Sequence, residues 1–168
     1  IMLENQDAID LVEKSNWTSK ALLYLKNVFI TEYDLKSGGL SVIKENSLLN
    51  NDVIEKLSSM EKEKRNIIIG KLQIKYPDLS AKMVEGFASA RKTFVDKNNI
   101  KADQIQSIKK DALFLINPKG IIEQVTPNLL FRAKNTYTSY LNINRKEFYY
   151  SPSLEFLEVK GIPDEIVQ

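Results

Sequence analysis

The stretch Phe29-Ile30-Thr31-Glu32-Tyr33-Asp34-Leu35-Lys36-Ser37-Gly38-Gly39-Leu40-Ser41-Val42-Ile43 runs from a β-prone segment through a break into a short helical one. From Leu22 to Asp34 the residues are apolar and rich in Val, Ile, Phe and Tyr, which predicts a strand. Ser37-Gly38-Gly39 predicts a sharp change of direction, because glycine reaches backbone angles that other residues avoid. Leu40 to Glu45 predicts a short helix. The strand ends on an aspartate. A second aspartate has a matching setting in Ile105-Gln106-Ser107-Ile108-Lys109-Lys110-Asp111-Ala112-Leu113-Phe114-Leu115-Ile116, which reads as a hairpin or strand pair. There Asp111 puts a charge beside a strand that is otherwise buried, and a buried charge needs a reason.

Outward from these two segments the chain divides in order. Residues 3–14 predict a short first helix, and Ser15 to Ser19 breaks it. Asn50-Asn51-Asp52 predicts a helix start with Val53, Ile54 and Leu57 on its apolar face, closed by Ser58 and Ser59. Glu61 to Ile74 predicts a second helix. Leu79 to Asn98 predicts the longest one, with Met83, Val84, Phe87, Phe94 and Val95 as its buried stripe. Beyond the turn Pro118-Lys119-Gly120 come five short β segments: IIEQV, NLLFRAK, TYTSYLNI, EFYY and FLEVK. A strand, then helices, then several strands predicts an α+β domain whose antiparallel sheet is covered on one face by helices.

Composition narrows the chemistry. The chain has 168 residues, enough for one domain with a core. It contains no histidine and no cysteine, which excludes histidine general bases, thiol nucleophiles and zinc thiolate sites. Carboxylates, lysines and hydroxyls must carry any reaction. The net charge of +2 is mild, so a nucleic-acid site must be a local patch. No apolar run reaches the roughly 18 residues of a membrane span, and no charged head precedes an apolar stretch. Both observations predict a cytoplasmic protein that does not engage a membrane.

Two carboxylates on neighbouring strands can hold two divalent cations about 4 Å apart, the arrangement of two-metal phosphoryl transfer. Magnesium or manganese suits such oxygen ligands. Asp34 and Asp111 are the candidate catalytic and metal-binding pair.

The ordered segments resemble the palm of family-B DNA polymerases. That family's first motif, Asp-x-x-Ser-Leu-Tyr-Pro-Ser and an aliphatic pair, is similar to Asp34-Leu-Lys-Ser37-Gly38-Gly39-Leu40-Ser41-Val42-Ile43. Its finger-helix motif, Lys-x-x-x-Asn-Ser-x-Tyr-Gly, is similar to Lys62-Glu-Lys-Arg65-Asn66-Ile-Ile-Ile69-Gly70. Its Asp-Thr-Asp-Ser motif is similar to Lys109-Lys110-Asp111-Ala112, and its primer-facing Val-Lys-Gly to Val159-Lys160-Gly161. The resemblance spans about residues 28–162. It implies a single palm-like domain over residues 1–168, with very short fingers at about 50–75 and a β-rich portion at about 105–160. It implies a magnesium-dependent nucleotidyltransferase of viral or phage type, taking nucleic acid and a nucleoside triphosphate. Lys62, Arg65, Asn66, Ser37 and Gly38 would bind the nucleotide, with the amides of Leu35 to Gly38 as an anion nest. Lys160, Lys134 and Arg132 would face nucleic acid. Gly39 stands where the family has the tyrosine that excludes a ribose hydroxyl, and Lys109 stands where it has a first aspartate.

Plainer expectations stand beside these. Asp34 suits the cap of a helix beginning near Lys36. The run Glu61-Lys62-Glu63-Lys64-Arg65 suits a solvated helix face. Tyr137, Tyr140, Phe148, Tyr149 and Tyr150 suit sheet packing as well as base stacking. Lys109 and Lys110 oppose metal binding by repulsion. A non-catalytic palm relative is the second reading, binding nucleic acid or a protein partner, as a subunit of a split polymerase or as a phage-encoded inhibitor or assembly factor.

Overall fold

A computed structural model describes residues 5–19, 24–143, 146–151 and 156–160. The elements run α1 (Gln6–Leu11), β1 (Asn16–Thr18), β2 (Tyr24–Leu35), α2 (Gly38–Glu45), α3 (Asn51–Ser58), α4 (Lys62–Lys75) and α5 (Pro77–Lys97). A 3₁₀ turn (Ala102–Gln104) leads into β3 (Ile105–Lys109), β4 (Ala112–Ile116), β5 (Phe131–Ile143), β6 (Lys146–Ser151) and β7 (Phe156–Lys160). All pairings are antiparallel, in the order β1-β3-β4-β2-β5-β6-β7. The protein is α+β, with its helices on one face of the sheet.

Local chemistry explains the helix ends. Asn50 caps α3, its side chain accepting from the Val53 N–H at 3.0 Å. Pro77 opens α5 at a position where its missing N–H is not needed. The helical face of the sheet supplies Tyr33, Leu35, Leu113, Leu115 and Phe131 to the main core. Phe94 of α5 packs between two of them, its ring centroid 5.5 Å from Tyr33 and 4.5 Å from Phe131. A Cβ on Gly86 would overlap Val42 Cγ1, so this glycine lets α5 lie close against α2.

The other face has its own core of Ile30, Phe114, Tyr137, Tyr140 and Tyr149. The Phe114 and Tyr149 rings lie 4.7 Å apart. The tyrosines at 137, 140 and 149 are therefore packing residues, while Tyr150 is exposed. This answers the choice between packing and stacking for most of that cluster.

Several boundaries differ from the sequence expectations. The break at Ser15 to Ser19 holds β1, which extends the sheet beyond β3. IIEQV forms no strand and contributes one isolated bridge, Gln124 to Leu130. NLLFRAK and TYTSYLNI are joined in the single strand β5, bent by a register shift opposite Glu32 and Tyr33. Val84 is exposed rather than part of the α5 stripe, whose inner positions go to Met83 and Phe87. Residues 3 and 4 of the expected first helix lie outside the described residues, and the helix itself covers Gln6–Leu11.

Candidate active site

The two aspartates meet because β2 and β4 are hydrogen-bonded neighbours. Asp34 pairs across the strands with Ala112, and the Leu35 N–H donates to the Asp111 carbonyl at 3.0 Å. Lys109 pairs with Ala112, so Lys110 and Asp111 form the two-residue turn of the β3–β4 hairpin. Lys110 takes the left-handed conformation there, with φ 54°. Asp34 is not a helix cap. The N-cap of α2 is Ser37, which is itself left-handed and makes no side-chain capping bond.

The turn is anchored from below. Arg91 of α5 is 1% exposed. Its Nη1 donates to the Lys110 carbonyl at 2.6 Å, its Nε to the Val12 carbonyl at 2.8 Å and its Nη2 to the Glu13 carbonyl at 3.3 Å. One guanidinium thus ties α5, the segment after α1 and the turn that carries Asp111. Three carbonyls converging on a planar fork suit arginine and not lysine. Burial lowers the Arg91 pKa, and the charges of Glu13 and Asp111 oppose that shift.

Asp34 and Asp111 line one cavity of about 400 Å³ together with Ser37, Gly38, Lys62 and Asn66. Lys110, Arg132, Phe87 and Met83 also border it. Seven of the sequence-predicted residues, Arg132 among them, therefore converge, from β2, the hairpin turn, α2, α4 and β5. Gly38 makes the convergence possible, since a Cβ there would stand 2.9 Å from Asp111 Oδ2 and 3.1 Å from Phe87 Cε1. A Cβ on Gly39 would make ordinary contact with Ile69 and Met83, 3.5 and 3.7 Å away.

The remaining predicted residues are placed differently. Arg65 does not line the cavity. It is buried, donating from Nη2 to Ser37 Oγ at 3.0 Å and weakly from Nη1 to the Met60 carbonyl at 3.5 Å. Lys62, Asn66, Ile69 and Gly70 of the α4 motif line the cavity, Lys62 and Asn66 as its polar members. The amides expected to form an anion nest are partly spent, on Asp111 by Leu35 and on the Leu130 carbonyl (2.8 Å) by Lys36. Lys134 approaches Asp34, Nζ to Oδ2 3.8 Å, as a long and largely exposed pair that contributes little. Lys160 ends β7 at the far edge of the sheet from β2, and its side chain lies outside the described residues. Lys109 does not point at the carboxylates. It pairs with Glu147 at 2.8 Å, so the expected repulsion comes from Lys110 alone of the two.

Burial and charge act on Asp111. The Asp111 carboxyl is pushed above its ordinary value, first by burial and then by the negative charge of Asp34. The folded chain therefore holds that proton at pH values where the unfolded chain has lost it. Stability falls as pH rises from about 4 through the raised value. Asp111→Asn removes the penalty and is expected to stabilise the protein at pH 7 by about 1 kcal/mol, roughly 2–4 °C in melting temperature. The gain should vanish near pH 4, a dependence that melts at the two pH values would check.

The residues present suit a hard cation. Asp34 Oδ1 is buried without a hydrogen-bond partner, although the Asp111 carboxyl, when protonated, can donate to Asp34. Among the described residues no third His, Cys, Asp or Glu joins the pair. Magnesium commonly takes one or two carboxylates and completes its shell with water and substrate phosphates.

The fold and site define an α+β protein with a paired-carboxylate cavity where an antiparallel sheet meets its helices. The chain belongs to the bacteriophage PBS1 gene 130 protein family, whose model matches residues 7–168. No curated protein matches it in sequence. The viral or phage expectation is met at the level of this family. Among the described residues, no helix is long and apolar enough to cross a membrane.

Proposed function

We propose that the protein is a minimal palm-type nucleotidyltransferase, a divergent relative of family-B DNA polymerases that acts on nucleic acid. The observation that carries this reading is the meeting of Asp34 and Asp111 in one cavity with Lys62 and Asn66 of α4. Three of the four segments similar to palm and finger motifs, those holding Asp34, Lys62 and Asp111, converge there. Asp34 and Asp111 would hold two magnesium or manganese ions. When bound, such ions activate a terminal hydroxyl and neutralise a leaving pyrophosphate. The chain's own residues bind and orient. Lys62 is an exposed point charge for a triphosphate, and Asn66 stands one turn further along the same helix. Gly38 keeps the wall beside Asp111 free of a side chain, and Arg65 fixes Ser37 from behind.

A second reading is favoured by a specific observation. Lys110 and Arg132 border the same cavity, which makes it more cationic than a simple metal site. On that reading the protein binds nucleic acid or a protein partner without catalysis. A magnesium titration followed by thermal shift, with and without nucleoside triphosphate, separates the two. The first reading expects saturable stabilisation by metal that is lost in the Asp34→Asn, Asp111→Asn double variant, together with primer extension lost in the same variant. No metal response up to tens of millimolar with triphosphate present would leave only the second.

A further inference from the structure

A second cavity, of about 280 Å³, lies on the other side of Ser37 from the carboxylates. Ser37 lines both cavities, so the two are neighbours across one residue. The second is formed between α2 and the segment before β5, with Lys36, Ser41, Lys44, Gln124 and Asn128 in its wall. Lys36 and Ser41 fall within the first motif-like segment, whereas Lys44, Gln124 and Asn128 belong to none of the segments considered above.

Charge is the informative property of this wall. Neither Lys36 nor Lys44 makes an ion pair among the described residues. Glu45 lies beside this wall, held by Thr126 Oγ1 at 3.0 Å and Asn128 Nδ2 at 3.3 Å, and makes no ion pair with either lysine. Behind the shared Ser37 lies Arg65, which is 8% exposed and makes no ion pair among the described residues. Its Nε is buried without any partner. A buried guanidinium with no counter-charge is costly, and an anion nearby offsets that cost. Three cations, Lys36, Lys44 and Arg65, thus stand near the shared Ser37 without an ion pair among the described residues, while the carboxylates of that neighbourhood are Glu45 and the Asp34–Asp111 pair of the first cavity.

We propose that this second cavity holds the phosphodiester backbone of a single nucleic-acid strand, leading it past Ser37 to the carboxylate pair. The choice of a strand rests on the reading of the first cavity as a nucleotidyl-transfer site. The class of ligand, a phosphate, rests on the cations alone. A cavity of this size admits one backbone and not a duplex. Lys36 and Lys44 act as point charges, which position a strand without reading its sequence. Gln124 and Asn128 are largely occupied with the chain's own loop, through bonds to Thr126 O, Leu129 O and Glu45. They shape the wall.

The test is a salt titration. A fluorescent oligothymidylate is bound to wild type, to the Lys36→Ala, Lys44→Ala double variant and to Lys36→Arg, Lys44→Arg. Binding is measured between 50 and 200 mM salt. Each single-strand phosphate contact contributes about 0.7 to the slope of log affinity against log salt, so the alanine variant should lose about 1.4 from that slope. The arginine variant should keep it. Both lysines are at least partly exposed, and matching melts of all three proteins would show that folding is intact. The Asp34→Asn, Asp111→Asn variant, which removes the proposed reaction, should also keep the slope contribution of the two lysines. An unchanged slope in the alanine variant would overturn the proposal, as would wild type that fails to bind the strand at 50 mM salt. Inorganic tripolyphosphate serves as the competing source of phosphate. If the alanine variant loses tripolyphosphate binding but keeps the strand, the cavity takes a free polyphosphate and the proposal fails.

Discussion

Arg91→Leu is expected to destabilise the protein by about 3–5 kcal/mol, lowering its melting temperature by roughly 10 °C or more. Leucine suits a buried helix face, and its size is not the difficulty. The difficulty is the three carbonyls, of Val12, Glu13 and Lys110, that Arg91 satisfies at 2.8, 3.3 and 2.6 Å. The buried Val12 acceptor left without a donor costs about 1–3 kcal/mol, and the part-buried acceptors of Glu13 and Lys110 add to it. Lys110 adds to the effect, since its left-handed backbone carries a steric cost of roughly 1–2 kcal/mol that the surrounding bonds must hold in place. Arg91→Lys should recover only part of the loss, because an ammonium on a flexible stem cannot serve three carbonyls in one plane. Thermal and denaturant melts of the two variants check this. A leucine variant that melts within about 1 kcal/mol of wild type would mean that water or a backbone shift replaces the guanidinium.

The consequence reaches the site because Arg91 holds the turn in which Asp111 sits. Its role was readable in principle. Phe87, Arg91, Phe94 and Val95 follow helical spacing, and a charge in the middle of an apolar stripe signals a buried polar anchor. Arg91 matches none of the motifs that single out the other site residues.

Other parts of the site were legible for physical reasons. Asp34 and Asp111 each interrupt a strongly apolar pattern, and a carboxylate in such a place is conspicuous in one dimension. The glycine pair at 38 and 39 marked the change of direction that brings α2 toward Asp111. What spacing alone left open was direction. Lys62 and Arg65 lie three residues apart on α4, which suggests one shared face. In the structure Lys62 is exposed at the cavity while Arg65 is turned inward beneath Ser37. Lys109 and Lys110 are adjacent, and alternation at the hairpin end sends one to Glu147 and the other to the cavity. Strand β1 was missed because three residues of Asn-Trp-Thr carry too little pattern to read. It forms only because β3 offers an edge to pair with.

The Lys109–Glu147 pair carries the second large prediction. Glu147 has a side chain only 3% exposed, while that of Lys109 is 28% exposed. Lys109 Nζ donates to Glu147 Oε2 at 2.8 Å and reaches Asn16 Oδ1 and Thr18 Oγ1 at 3.2 and 3.3 Å. On its other oxygen Glu147 accepts from the Tyr149 hydroxyl at 2.9 Å. Burial and the Glu147 charge push the Tyr149 hydroxyl up, which keeps it a donor across the working range. Lys109→Met keeps most of the apolar stem and removes the charge, leaving a buried carboxylate with hydroxyls alone. Breaking a buried pair in this way costs about 3–5 kcal/mol. Adding Glu147→Gln removes the stranded charge, so the double variant should recover more than 1 kcal/mol over the sum of the single losses. The same double-mutant cycle tests the wiring of the hairpin. Because Lys109 faces Glu147 and not the aspartates, Lys109→Met should leave any magnesium response at Asp34 and Asp111 unchanged once the variant is folded. A metal response that strengthens in Lys109→Met would instead place its charge at the carboxylate pair, against the geometry described here.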